Sequence, residues 1–382
     1  MSLIKFFEST DAGAPTLNNA VGSMIAVLDA CLITGYNTKA VTSITVASGV
    51  ATVVCAAHGY ANTYGKAIRI AGATGSFTAL NKDTQIANVT TNGFTFLCPG
   101  VADGAATGTL TAKYAPLDWT KQYAGTNKAM YKRGDVTATS CMLRIDDNAV
   151  GQSCRALMVQ SATDIDTYTN PAPVAAQIAD GLGQYWSKGY NDATAADWFI
   201  VADHLYFYFF VKGGAAGNAY VSKGFGDIID FKSTSVLGCE IAGPASSGSQ
   251  LAYSFYGASV SSGVCVVSGG KNGISNSQNL VVESRIANYG ITGSPYPSEV
   301  DGGLVIYDNA LLKEGGDVNA NIRGRQPGLA IPYAALESVF SNKQIISNII
   351  GSPRQFIFVK CGSAPGAGAS FSPLIDLTGP WR

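Results

Sequence analysis

The run Tyr206 to Phe210, inside DHLYFYFFVKG, constrains the fold more than any other stretch of the chain. Side chains of an extended strand alternate between its faces. Tyr206, Tyr208 and Phe210 then share one face, and Leu205, Phe207, Phe209 and Val211 the other. Both faces are apolar, so this reads as an internal strand covered on both sides. The two tyrosine hydroxyls on one face ask for polar partners. A subunit interface or a surface for stacking sugar rings are the other uses of such a face, and Tyr206, Tyr208 and Phe210 are candidate interface residues.

A membrane is a poor explanation for these rings. Leu205 to Val211 is far shorter than the roughly 20 residues a spanning helix needs. The longest charge-free stretch, 241–270, is broken by PASSGS and SSG. The N-terminal MSLIKFFESTD lacks the apolar core and cleavage site of a signal peptide, so the expectation is a protein made in a cytoplasm. Only 13% of residues are charged, and Lys plus Arg (25) nearly balances Asp plus Glu (26). That balance leaves no basic footprint for nucleic acid. It also leaves little self-repulsion, so close contact with other proteins is tolerated. The eight cysteines form no CxxC and no Cys/His cluster. They are expected to be reduced, buried thiols that pack as small hydrophobes.

The rest of the chain reads as α+β, strongly weighted to β. TLNNAVGSMIAVLDACLITG places Leu17, Val21, Met24, Ile25, Leu28 and Leu32 at helical spacing, with Thr16 as a cap and Gly35 as a stop. From Thr42 the period changes to two. ITVASGVATVV turns at Ser48-Gly49, AIRIAG is a strand pattern, and VTTNGFTF carries Asn92-Gly93, a strong hairpin cue. Residues 41–117 therefore read as a small all-β, sandwich-like module inserted into a β-rich core domain made of 1–40 and 118–382, with a possible subdomain break near 240–280. CMLRIDD, RALMVQS, DWFIVAD, GFGDIIDFK, LVVESRI, GGLVIYD and RQFIFVKC continue the strand patterns. LESVFSNKQIISNIIG, with Leu336, Val339, Phe340, Ile345, Ile346 and Ile349, reads as a second helix.

Motifs for chemistry are sparse. His58 and His204 lie in different proposed domains, and neither sits in a GxSxG, HExxH or Cys/His signature. Both are expected to be structural. Carboxylates that could pair for glycoside hydrolysis are Asp146-Asp147, Asp164 with Asp166, Asp227 with Asp230, and Glu314. TDIDTYTNPAP looks like a loop in which Asp supplies turn hydrogen bonds, and it lacks the register of an EF-hand. No GxGxxG or GxxxxGK[ST] occurs. No catalytic residue, cofactor or metal is expected.

Four stretches together carry a resemblance. They are IKFFESTDAGAPTLNNAVGSMIAVLDACLITGY, WTKQYAGTNKAMYKRG with LRIDD, RGRQPGLAIPY, and LIDLTGPWR. As a set they resemble an uncharacterised family of tailed-bacteriophage virion structural proteins, over residues 1–40 and 119–382 in outline. In related sequences the GY..K and W(T)K elements lie close together. Here residues 41 to about 117 separate them, and that segment is similar to the small β-sandwich, Ig-like modules spliced into phage tail and capsid proteins. The resemblance implies a non-enzymatic component of the tail, neck or collar, or baseplate, located in the virion and assembled with other virion proteins or with its own copies in a ring. A capsid decoration protein or a receptor- or glycan-binding subunit are the alternatives, and a glycan-degrading enzyme is a third. Within LIDLTGPWR, Trp381 and Arg382 are candidate interface anchors, since Trp and Arg are frequent hot-spot residues.

Overall fold

The computed structural model describes residues 3–63, 65–175, 177–178, 180–190, 192–213, 220–231, 238–245, 264–270, 273–283, 296–299, 301–307, 311–314, 322–332, 336, 339–361 and 372–382. For 264–270, 273–283, 307, 311 and 313–314 it describes the backbone path alone. Strands make up 46% of the structure and helix 6%, so sheets carry the fold. Among the described residues every strand pair within the sheets is antiparallel.

The aromatic run is the strand Tyr206–Lys212, third in a ten-stranded sheet that begins Lys5–Glu8, Trp198–Ala202, Tyr206–Lys212, Tyr220–Asp227, Cys239–Pro244. Its two faces enter different cores, as the alternation requires. Phe207, Phe209 and Val211 pack with Trp198, Phe225 and Ile241. Tyr206, Tyr208 and Phe210 pack with Phe199, Val201 and Ile357. On the first side, Trp119 and Trp186 stand against Phe207 at 5.6 and 6.0 Å between ring centres. Trp186 belongs to a five-stranded sheet of Thr120–Gly125, Lys128–Lys132, Met142–Asp146, Ser153–Val159 and Gln184–Ser187. The other side is covered by a second five-stranded sheet, which includes Leu329–Pro332, Phe356–Phe358 and Leu374–Asp376. Cys239–Pro244, Val264–Gly270 and Gly273–Glu283 are successive neighbours in the ten-stranded sheet.

Residues 36–114 form two further sheets. One has Tyr36–Ala40, Thr107–Tyr114, Ala67–Thr74 and Asp83–Gln85; the other has Ala87–Thr90, Gly93–Leu97, Val50–Val54, Ser43–Ala47 and Gly104–Ala105. Ile44, Val46, Ala51, Val53, Phe94 and Phe96 alternate into the space between them, while their neighbours face out. The Ser48-Gly49 turn has positive φ at both residues (50° and 76°), the pattern a two-residue hairpin favours. The second hairpin closes with Thr90 opposite Gly93, so its turn is centred on Thr91-Asn92, one residue earlier than the Asn-Gly cue places it. The chain leaves this unit beside where it enters. Leu117 N–H donates to Cys31 O and Trp119 N–H to Leu32 O, both at 3.0 Å. Gly35 has φ +68°, and a Cβ there would lie 2.3 Å from Tyr114 O.

Two helical expectations change. The α-helix spans Ser23–Leu28 and continues as a π-helix over Asp29–Thr34. Thr16 does not cap it. Asp147 does, from 123 residues away: its Oδ2 accepts the Met24 N–H at 2.9 Å, and its carbonyl accepts the Gly22 N–H at 3.2 Å. Leu17 stays wholly buried without being helical. The second expected helix, 336–351, is absent among the described residues of that stretch. The Val339 and Phe340 N–H groups both donate to Leu336 O at 2.9 Å, and Ile345–Ile346 is an edge strand paired with Phe356 and Ile357. Leu336, Phe340, Ile346 and Ile349 are buried against Phe356, Phe358 and Leu374 while Val339 stays exposed, and this packing outweighs the helical spacing.

Candidate functional site

The rings expected at an interface lie inside the chain's own core. Tyr206, Tyr208 and Phe210 are each 0% exposed, and Trp381 is 4% exposed. Tyr206 Oη donates to Glu240 Oε1 at 2.5 Å, and Tyr208 Oη to Pro327 O at 2.8 Å. Phe210 stacks on Phe199 at 4.6 Å. Trp381 Nε1 donates to Asp376 O at 3.0 Å, and its indole fills the space that a Cβ on Gly328 would need. In this fold these four rings have no surface left for a partner: the hydroxyl partners that the tyrosines asked for are internal. Arg382 alone of the five stays exposed, with its guanidinium bound to Asp203 Oδ2 (3.0 Å) and Asp227 O (2.9 Å).

The carboxylates and histidines picked from the sequence do not converge. Asp164 Oδ1 accepts the Asp166 and Thr167 N–H groups at 2.8 Å each, the turn role expected of it. Asp166 is paired with Lys128 and Arg144 at 2.8 and 2.6 Å, and these contacts hold its carboxyl below the usual range. Asp146 meets Arg144 at 3.3 Å. Asp227 meets Arg133 at 2.9 Å, and Asp230 meets Arg323 at 3.6 Å. The Glu314 side chain lies outside the described residues. His58 is buried, its Nδ1 accepting the Tyr60 N–H at 2.9 Å. His204 Nε2 lies 3.2 Å from Asp135. Cys31, Cys55, Cys98, Cys141, Cys154, Cys239 and Cys361 are free and buried, and burial pushes the Cys31 and Cys154 thiols well up. The Cys265 side chain lies outside the described residues.

Among the described residues, two hollows lie beside the candidate side chains. The first, about 730 Å³, lies between the 36–114 unit and the ten-stranded sheet, and its lining includes Lys5, Arg69, Asp83, Asp118, Asp135 and His204. Most of these charges are spent on each other. Lys5 pairs with Asp83 at 2.5 Å, and Arg69 bridges Asp83 (2.6 Å) and Asp118 (2.5 Å). Burial alone would raise the Asp83 carboxyl, but Arg69 and Lys5 outweigh it and hold it below the usual range. Asp135 holds His204 Nε2 at 3.2 Å on one carboxyl oxygen and accepts the Thr137 hydroxyl at 2.6 Å on the other. The second hollow, about 410 Å³, is lined by Arg325, Gln326, Ser352, Arg354, Asp376 and Trp381 among others. Arg354 is paired there with Asp376 at 2.6 Å.

The deepest polar groups were not legible in the sequence. Lys66 is wholly buried. Its Nζ lies 2.7 and 2.8 Å from the two carboxyl oxygens of Asp11 and 3.1 Å from Glu8 Oε1. Burial works to raise Glu8, but Lys66 and Lys343 outweigh it and hold it below the usual range. Lys188 and Asp147, both 0% exposed, form a second pair at 2.6 Å. Glu240 is wholly buried, and desolvation pushes it up to about 7 despite hydrogen bonds from Tyr206 and Gln326. Lys223, also wholly buried, is pushed down to about 7 by desolvation. Each partner is distant in the chain, and no local pattern marks it. Comparison with known proteins finds no family that the chain matches and no curated relative.

Proposed function

We propose that this chain is a non-enzymatic structural protein of a tailed-phage virion, a part of the tail, neck or baseplate built from protein–protein contacts, with residues 41–117 as an inserted β-sandwich module displayed outward. The observation that carries this reading is how the chain uses its reactive side chains. The described carboxylates singled out for hydrolytic work are tied into ion pairs or turns, and the two histidines sit in different surroundings with no shared pocket. Such a chain is braced rather than open for turnover. The four motif stretches support the phage assignment. The insertion is supported by geometry: Tyr36–Ala40 pairs with Thr107–Tyr114, so the segment between them departs and returns at adjacent points.

The receptor- or glycan-binding alternative has one observation in its favour, the polar hollow beside Trp381 with Arg325 and Arg354 in its lining. A glycan array distinguishes the two readings. The leading one predicts that an antibody fragment or gold label on residues 41–117 decorates intact particles at a fixed symmetric position, and that the purified chain assembles into rings. A lone monomer that is missing from particles and turns over a cell-wall or capsule glycan would overturn it.

A further inference from the structure

The buried cluster of Lys66, Asp11 and Glu8 has the parts needed to join two of its own side chains. We propose that Lys66 and Asp11 condense into an intramolecular isopeptide bond, with Glu8 moving the protons. Both carboxyl oxygens of Asp11 lie within 2.8 Å of Lys66 Nζ, which places the carboxyl carbon between them close to the 3–3.5 Å (about) of a near-attack pair. The pair is dry: Lys66 is 0% exposed and the Asp11 side chain 1%. The Phe6 ring lies 4.1 Å from Nζ and the Tyr114 ring 5.9 Å. Asp11 Oδ2 accepts hydrogen bonds from Tyr36 Oη (2.8 Å) and from the Glu8 N–H (2.9 Å). Those two donors stand where negative charge gathers as the carboxyl carbon becomes tetrahedral. Glu8 Oε1 lies 3.1 Å from Nζ, placed to take a proton from the attacking amine.

The step balances without any other reactant. A bond forms between Lys66 Nζ and Asp11 Cγ, and the bond from Cγ to Oδ1 breaks. Of the three protons on the ammonium, one stays on the amide nitrogen and two leave with Oδ1 as water. Glu8 relays them and ends as it began, and Oδ2 remains as the amide oxygen held by Tyr36. The other buried pair is arranged differently. Lys188 Nζ donates to the carbonyls of Asn19, Ala20 and Ala149 at 3.3, 2.9 and 3.3 Å as well as to Asp147. Among the described residues no second carboxylate lies within ion-pair distance of it to take its proton. The bond at Lys66 would fasten the N-terminal segment to the 36–114 unit across 55 residues of sequence, a brace suited to a particle under mechanical load.

Peptide mass spectrometry on the purified full chain decides the matter. The expected result is a branched tryptic peptide joining the Asp11 segment to Lys66, one water lighter than the sum of its arms, with no cleavage after Lys66. Glu8→Gln is expected to leave the two peptides separate while far-ultraviolet circular dichroism stays that of the folded wild type. Asp11→Asn is expected to give the same branched peptide at the same final mass, because ammonia leaves in place of water. Cleavage after Lys66 in the folded wild type, with both peptides at full mass, would overturn the proposal. So would a water loss that maps to an unbranched peptide. A cross-linked Glu8→Gln protein would overturn the part given to Glu8.

Discussion

Replacing Glu240 by Gln isolates the effect of one buried acid on stability. Glu240 has no exposed surface; Tyr206 Oη and Gln326 Nε2 both donate to its Oε1, and its Oε2 finds no partner among the described residues. Desolvation disfavours the carboxylate and lifts it from an ordinary 4.5 to about 7. The sign follows from proton counts. Between these two values the folded chain keeps a proton that the unfolded chain has lost. Stability contributed by this group is therefore greatest below pH 4.5, falls as pH rises through about 7, and is flat beyond. At about 1.4 kcal/mol per pH unit, the gap between 4.5 and about 7 amounts to at most about 3.5 kcal/mol. Gln keeps the shape and the acceptor for Tyr206 but cannot ionise. Urea unfolding of the wild type and Glu240→Gln, followed by tryptophan fluorescence from pH 4.5 to 8.5, measures the difference, because groups that titrate alike in both proteins cancel. The variant should be nearly equal to the wild type at the acid end and more stable by up to about 3.5 kcal/mol at pH 8. A difference that does not change with pH would refute the reasoning, as would a variant weaker than the wild type at pH 8.

Lys188→Met strands the Asp147 carboxylate in the core and should cost about 3–5 kcal/mol by chemical denaturation, whereas the apolar double replacement Lys188→Met/Asp147→Leu should recover much of that loss. Gly35→Ala forces a Cβ to within 2.3 Å of Tyr114 O at φ +68° and should lower stability by about 1–3 kcal/mol or more, read as a drop in Tm. Cys31 and Cys154, buried and pushed up, should resist a thiol reagent such as DTNB in the native protein and react once urea unfolds it. Asp164→Asn exchanges one turn acceptor for another at an exposed loop and should change stability by no more than about 0.5 kcal/mol.

What the sequence by itself determined is what backbone geometry imprints locally. Alternation assigned the rings of Tyr206–Lys212 to two faces, and those faces enter two separate cores. It likewise sent Leu143 and Ile145 to the main core and Met142 to a satellite cluster. Ser48-Gly49 marked a hairpin because its conformation belongs to the residues themselves. Tertiary structure decided everything that depends on a distant neighbour. Asp147 set the start of the helix in place of Thr16, and pairing with Phe356 and Ile357 drew Ile345 and Ile346 into a strand despite their helical spacing. The rings that looked fit for a partner were claimed by the chain's own sheets. The buried charges are the clearest case. Lys66 and Asp11 are 55 residues apart, Lys188 and Asp147 are 41 apart, and Tyr206 and Glu240 are 34 apart. A charge can enter a core only with its partner, and periodicity over a few residues holds no record of which partner that will be.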